Sequence, residues 1–160
     1  MPVTCTFNLN RRPMSTLVCP GFGSIQAFSG NRNSIDNPDS VTLKESGPLP
    51  KGLYYIVDRE SGGHLGWLWD AIKDAASDTR RSEWFALYRA DGKLDDWTFI
   101  NGVQRGNFRL HPVGLSGESK GCITLPSREE FKALRSYLKA QRPAFIPGTS
   151  VRYYGTVEVE

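Results

Sequence analysis

The chain has 160 residues, 39% of them hydrophobic and 11% aromatic, and its formal net charge is +3 at pH 7. This length predicts a single domain over residues 1–160 that is large enough to bury its own core. The positive charge is small and scattered, which argues against a nucleic-acid-binding surface. No apolar run approaches the roughly 20 residues that span a bilayer, so we expect no membrane insertion.

The first part of the chain predicts antiparallel strands. Residues 3–9 alternate between apolar and polar side chains, which is the period of a half-buried strand. Residues 15–19 and 24–28 are two further strand candidates, separated by the turn residues 20–23. Residues 29–39 are polar and predict an exposed loop. The N-terminus lacks the basic start and apolar stretch of a signal peptide, so we expect synthesis in the cytoplasm.

The middle of the chain predicts strands around one short helix. The aromatic and β-branched residues 53–57 follow a cluster of Pro and Gly residues and indicate a strand. Apolar residues recur at helical spacing between His64 and Ala76. Residues 84–89 and 97–100 are further strand candidates, and Asp91-Gly92 between them predicts a hairpin.

The last part of the chain predicts one helix and one strand. Ser127 and Glu130 form a capping box before a helix that Pro143 stops. Residues 150–159 alternate again as a terminal strand. The predicted fold class is therefore mainly β with short helices. It is an antiparallel sandwich or an incomplete barrel, with one helix packed after Cys122.

Three cysteines and two histidines limit the metal and disulfide chemistry. Cys5 and Cys19 lie in two predicted strands and could be neighbours that pair, although we favour two buried thiols packed as small hydrophobes. His64 and His111 form no close pair with each other or with cysteines, so no zinc site and no cofactor is expected.

His111 and Cys122 stand at the two ends of a short loop that is rich in glycine and serine. Cysteine is a nucleophile only as the thiolate, and an imidazole within hydrogen-bond reach can take its proton. A buried structural cysteine is the alternative, but it rarely follows a flexible polar loop. We therefore predict Cys122 as nucleophile and His111 as base. Backbone N–H groups of Gly121 and Cys122 are the candidate oxyanion donors.

The segments His111-Pro112-Val113-Gly114 and Ser119-Lys120-Gly121-Cys122-Ile123 resemble the L,D-transpeptidase catalytic domain, in which a histidine precedes Ser-His-Gly-Cys-[Ile/Val]-Arg. The segment Gly52-Leu53-Tyr54-Tyr55-Ile56 is similar to a second segment of that family. The compact arrangement is most similar to the effectors of this family that type VI secretion systems inject into rival bacteria. The similarity runs from about Phe22 onward.

The resemblance implies an L,D-carboxypeptidase and transpeptidase that acts on peptidoglycan stem tetrapeptides and kills bacteria from the periplasm of the target cell. Its partners would be stem peptides, a secretion apparatus and an immunity protein. Cys122 would attack the peptide bond before the terminal D-alanine, and His111 would move the proton. The alternative is a non-catalytic β-rich module that binds peptidoglycan or a protein.

Two positions depart from the family pattern. Lys120 stands where the family has a second histidine, and Thr124 stands where it has an arginine. The second change removes an expected anchor for a substrate carboxylate, and Arg109, two residues before His111, is a candidate replacement. Ser119, Lys120 and Tyr54 are further candidates for substrate contacts.

Overall fold

A computed structural model describes residues 2–44, 46–58, 83–92, 97–113 and 121–160, without the side chain of Arg32. Two sequence predictions fall outside these ranges. They are the helix between His64 and Ala76 and the substrate contacts of Ser119 and Lys120.

Twelve strands and one α-helix make up most of the described chain. They are β1 (Val3–Phe7), β2 (Ser15–Cys19), β3 (Gly23–Ala27), β4 (Gly52–Asp58), β5 (Phe85–Arg89), β6 (Trp97–Ile100), β7 (Val103–Gly106), β8 (Arg109–Pro112), β9 (Ile123–Leu125), α1 (Arg128–Ala140), β10 (Ala144–Phe145), β11 (Arg152–Tyr153) and β12 (Gly155–Val159). Eight strands form one sheet in the order β3-β2-β1-β12-β4-β5-β8-β9, and β6–β7 and β10–β11 form separate pairs. The terminal segment, predicted as one strand, is divided between β11 and β12.

The two edges of the eight-stranded sheet meet, so the sheet is nearly closed into a barrel. Phe28 follows β3 directly and forms a β-bridge with Thr124 of β9, with N–H···O distances of 2.9 and 2.8 Å. Closure removes unpaired strand edges that an open sheet would expose. The predicted mainly β fold is confirmed in its barrel form, although β1–β12 and β8–β9 pair in parallel.

The helix α1 supports the barrel beside β8 and β9. Its N-cap is Ser127, whose Oγ accepts a hydrogen bond from the N–H of Glu130 at 3.1 Å, as the capping box predicts. Phe131, Leu134 and Leu138 form its buried face and join the core. The predicted helix after Cys122 is therefore confirmed. Among the described residues, no helix has the length and apolar character needed to cross a membrane.

The predicted hairpin at Asp91-Gly92 is wrong. β5 pairs with β4 and β8, whereas β6 pairs with β7. The hairpin turn is instead Asn101-Gly102, where Ile100 and Val103 pair across two residues with positive φ values of 49° and 81°. Asn-Gly suits this turn because both central positions require positive φ. The sequence therefore does contain a hairpin signal, which is Asn101-Gly102 rather than Asp91-Gly92.

The prediction that Cys5 and Cys19 are separate buried thiols is also wrong, because a disulfide joins them. The antiparallel register of β1 and β2 pairs Thr6 with Val18, which places the two cysteines opposite each other with Cα atoms 4.3 Å apart. Both are buried in the core. This bridge leaves Cys122 as the free cysteine of the chain.

Residues 29–39 are not the exposed loop that their polarity predicts, because Ser29 and Asp36 are fully buried. The N–H of Ser29 donates to Asp36 Oδ1 at 2.9 Å, and the N–H of Asp36 donates to the Ser29 carbonyl at 2.8 Å. Ser29 Oγ accepts from the N–H of Leu49 at 2.7 Å. Polarity misleads here because the polar groups bond one another inside the protein.

Replacing Asp36 with Asn should stabilise the protein more at high pH than at low pH. Oδ2 of Asp36 has no hydrogen-bond partner among the described residues, and burial raises the pKa of Asp36 from 3.8 to about 7, against the lowering effect of the Ser29 N–H. The folded state thus prefers the neutral form of Asp36. The stability of the protein therefore falls as pH rises from 3.8 to about 7. Asn carries no charge, so the gain in unfolding free energy should be about 2 kcal/mol larger at pH 8 than at pH 5.

Urea denaturation at the two pH values measures this difference. Asp39→Asn is the control, because Asp39 is exposed and bonded to Arg11 at 2.7 Å, which lowers its pKa. Equal gains for Asp36→Asn at both pH values would mean that its carboxyl is not held neutral by burial.

Candidate active site

The parallel neighbours β8 and β9 bring the predicted base and nucleophile to adjacent strands. Their register pairs His111 with Thr124 and Leu110 with Ile123. Leu110 and Ile123 belong to the core, so the alternating residues His111 and Thr124 face the other side of the sheet. Cys122 directly precedes β9 and lies two residues before Thr124, so continuing the alternation of β9 would place it on the side of Thr124. We therefore expect Cys122 and His111 to be neighbours on one face.

The hydrogen bonds of His111 orient its ring. His111 is 5% exposed, and its Nδ1 lies 2.6 Å from the Pro112 carbonyl oxygen. A carbonyl only accepts hydrogen bonds, so this contact assigns the proton of the neutral ring to Nδ1. Nε2 is then the acceptor, and it lies 3.4 Å from Thr124 Oγ1 on β9. The basic nitrogen therefore faces the strand that follows Cys122.

Trp84 stacks on the His111 ring, with 4.3 Å between ring centroids and 21° between planes. The contact follows from the register of β5 and β8, which pairs Phe85 with Leu110 and so places the residue before β5 beside His111. An indole face attracts cations, so this stack favours an imidazolium as well as fixing the ring. The sequence predicted Trp84 only as a core or groove residue, because the contact depends on a register that the chain pattern does not show.

Cys122 is half-buried and follows a backbone turn that only glycine accommodates well. Its Sγ lies 3.7 Å from the Asn107 carbonyl oxygen, the geometry of a weak S–H···O hydrogen bond. Gly121 has a φ of +98°, and a Cβ there would lie 2.5 Å from Arg105 Nη2 and 2.9 Å from Phe108 Cε1. The backbone before the thiol is thus packed tightly against two side chains.

Arg109 and Tyr54, two candidate substrate contacts, lie in different environments. Arg109 belongs to β8, on the same side as His111, and its Nη1 donates to the Phe108 carbonyl at 2.8 Å. Tyr54 is fully buried, donates its hydroxyl hydrogen to the Pro50 carbonyl at 2.7 Å and packs edge-on against Phe108. Tyr54 is therefore a core residue and not a substrate contact.

Thr124 has a role that the sequence did not suggest. We expected its main consequence to be the loss of an arginine anchor, but Thr124 is fully buried, and its hydroxyl contacts His111 Nε2. Its backbone also closes the barrel through Phe28. A hydroxyl two residues after a candidate nucleophile, on a strand, is the signal that would have pointed to this contact.

Thr124→Val should slow turnover because it removes the hydroxyl that orients Nε2 while keeping the β-branched shape. The loss of one hydrogen bond of about 1–2 kcal/mol predicts a roughly 5- to 30-fold lower kcat with little change in KM. Thr124→Ser should restore most of the rate. A steady-state assay with the tetrapeptide substrate that the sequence resemblance implies measures both constants.

Thr156→Val is the matched control for this variant. Thr156 also lies on a strand, β12, and its hydroxyl donates to Thr4 Oγ1 at 3.4 Å, while β4, β5 and β8 separate β12 from β9. Equal kcat losses in the two valine variants would show that Thr124 acts only through general stability.

The fold is a mainly β barrel with a histidine on one strand and a cysteine directly before the adjacent parallel strand. A family model described as the Tlde1 domain matches residues 23–149. The chain therefore belongs to the Tlde1 domain family of type VI secretion L,D-transpeptidase effectors, and this membership gives it a peptidoglycan-modifying effector role. No curated protein and no solved structure matches the chain significantly.

Proposed function

We propose that this chain is an L,D-carboxypeptidase with a cysteine nucleophile that removes D-alanine from peptidoglycan stem tetrapeptides. A D-amino acid in place of water would give exchange by the same route. The observation that supports the proposal is the parallel pairing of β8 with β9, in which His111 lies beside the strand that Cys122 directly precedes, with Nε2 as the acceptor nitrogen on the side of β9. Family membership supplies the substrate class.

The proposed reaction begins with transfer of the Cys122 thiol proton to His111 Nε2. A thiolate cannot donate a hydrogen bond to the Asn107 carbonyl, so ionisation releases Sγ from that contact and frees it to attack. Sγ forms a bond to the carbonyl carbon of the third stem residue, and the C–N bond to D-alanine breaks. His111 returns its proton to the departing amine.

The acyl-enzyme is then hydrolysed, and the same groups act in reverse. Water gives a proton to Nε2 as it attacks the thioester, and the thiol leaves with that proton. Stacking of His111 on Trp84 favours the imidazolium that exists between the two transfers. Backbone N–H groups of Gly121 and Cys122 are the proposed donors to the oxyanion, in keeping with the tightly packed glycine turn.

Arg109 is the proposed partner for the substrate carboxylate. It lies on β8 on the same side as His111, and a guanidinium binds a carboxylate with two parallel hydrogen bonds. It would thus occupy the role of the arginine that Thr124 replaces. Ser119 and Lys120, in the loop before Gly121, stay candidates for further substrate contacts.

The proposed place of action is the periplasm of a target cell, reached through a secretion apparatus and countered by an immunity protein. The Cys5–Cys19 disulfide supports this proposal, because such bonds persist in oxidising compartments and are rare in the cytoplasm. Expression with an added signal peptide should arrest growth, whereas expression without one should not. Arrest by the cytoplasmic form would contradict this place of action.

Incubation with purified tetrapeptide muropeptides tests the activity directly. Mass spectrometry should show loss of one D-alanine, and added D-methionine should appear in its place as the exchange product. Intact tetrapeptides bound by the protein but never altered would contradict the enzyme and support a binding module.

A further inference from the structure

Arg105 of β7 is a buried cation that the proposed reaction does not use. Its side chain is 2% exposed. Its hydrogen-bond partners among the described residues are the carbonyl oxygens of Val41, Gly47 and Pro48, with 3.0 Å to Gly47 and 3.2 Å to Pro48. A buried charge costs considerable free energy unless it is compensated, and these carbonyls carry no net charge. Arg105 therefore keeps a positive charge inside the protein beside neutral oxygens.

The guanidinium packs against the turn that carries the candidate nucleophile. A Cβ on Gly121 would lie 2.5 Å from Nη2, so the backbone of the turn touches the guanidinium with no room for a side chain. The Arg105 guanidinium carbon also lies 5.5 Å from the ring centroid of Phe108, whose Cε1 would lie 2.9 Å from the same Cβ. One side chain thus joins the carbonyls of Val41, Gly47 and Pro48 to the Gly121–Cys122 turn.

The charge of Arg105 interacts with the charge of Cys122. Burial lowers the pKa of Arg105, and attraction to Tyr54 and Cys122 acts against that shift. Such an attraction is mutual, so it favours the thiolate of Cys122 as much as the guanidinium. Burial raises the pKa of Tyr54, so its hydroxyl stays neutral and does not compete for this charge. The other titratable or charged side chains of the described site are Arg109 and His111 on β8.

We propose that Arg105 is a positioning residue for Cys122, which holds the Gly121–Cys122 turn against Val41, Gly47 and Pro48 and favours the thiolate of Cys122 over the thiol. The inference rests on the proposed function only in taking the ionised thiol as the nucleophile. Alkylation of the thiol needs no substrate, so the inference about Arg105 and the proposed enzymatic function can fail separately. If the alkylation of Cys122 depends on Arg105 as expected but no muropeptide is converted, the proposed enzymatic activity is refuted and this inference stands.

The test is the pH dependence of iodoacetamide alkylation, which reports Cys122 because the other two cysteines are joined in a disulfide. Arg105→Gln should move the midpoint of the profile upward by about one pH unit. Below the midpoint the thiolate fraction then falls about tenfold, while its nucleophilicity rises about threefold, so the rate should fall roughly three- to fourfold. Arg105→Lys should keep the midpoint near that of the wild type but lower Tm, because an ammonium keeps the charge without the planar fork.

Arg89→Gln is the matched control, because Arg89 also bonds a backbone carbonyl, that of Lys51 at 2.8 Å, but belongs to β5 and its hydrogen bonds do not involve the turn. Its alkylation midpoint should equal that of the wild type. An unchanged midpoint in folded Arg105→Gln, or an equal shift in Arg89→Gln, would overturn the inference.

If Arg105→Gln does not fold, Gly121→Ala tests the same contact from its other partner. The Cβ of the new alanine would lie 2.5 Å from Arg105 Nη2, so the turn and the guanidinium must move apart. The charge of Arg105 is kept in this variant. The midpoint should again rise, and an unchanged midpoint in this folded variant would overturn the inference.

Discussion

Cys122→Ala is expected to lower the release of D-alanine from tetrapeptide muropeptides by at least about 10³-fold. The reason is that the proposed reaction passes through a covalent acyl-enzyme on Sγ, and alanine has no atom that can form it. The side chain is half-buried, and its hydrogen bond to the Asn107 carbonyl is long, at 3.7 Å. Unfolding free energy should therefore change by less than about 1 kcal/mol. Mass spectrometry of the muropeptides and a thermal melt measure the two quantities.

Cys122→Ser gives a second view of the same role. Serine keeps the shape and a hydroxyl, but its oxygen is far less acidic than a thiol, so it should be nearly as inactive as alanine. Both variants should still bind tetrapeptide, because the proposed substrate contacts remain. Wild-type rates in Cys122→Ala would show that another group, or a contaminating carboxypeptidase, releases the D-alanine.

The strands themselves were largely predictable, because each depends on a local pattern. Residues 15–19 alternate, and every second side chain of β2 is buried. The pairing of strands was not predictable in the same way. β1 and β12 come from opposite ends of the chain and pair in parallel at the middle of the sheet, with Val3 beside Gly155. No short-range pattern records such a partner.

The site was predictable where chain spacing decides the geometry and not where strand register decides it. His111 and Cys122 flank one loop, and the strands on both sides of that loop lie next to each other. Trp84 reaches His111 through the pairing of β5 with β8. Arg105 reaches the Gly121 turn from β7, which belongs to a separate strand pair, so this contact depends on tertiary packing. Tyr54 shows the reverse error, because similarity to a family segment suggested a substrate contact for a side chain that the core requires.

The Cys5–Cys19 disulfide was missed for the same reason, and it makes the second large prediction. The two residues are separated by 14 positions in sequence, and closing a loop of that size stabilises a fold by about 3 kcal/mol at 25 °C. Cys5→Ala/Cys19→Ala should therefore lower Tm by roughly 6–12 °C for a domain of this size. Neither β1 nor β2 pairs with β8 or β9, so D-alanine release well below Tm should be retained.

Thermal melts with and without a strong reductant separate the bridge from the side chains that form it. Reductant should lower the Tm of the wild type and of Cys122→Ala alike, and should leave the double alanine variant unchanged. A wild-type Tm that does not respond to reductant, with the bridge shown by mass spectrometry to be reduced, would contradict the stabilising role. If the prediction holds, the protein is least stable under reducing conditions such as those of a cytoplasm. It gains its full stability under the oxidising conditions of its proposed place of action.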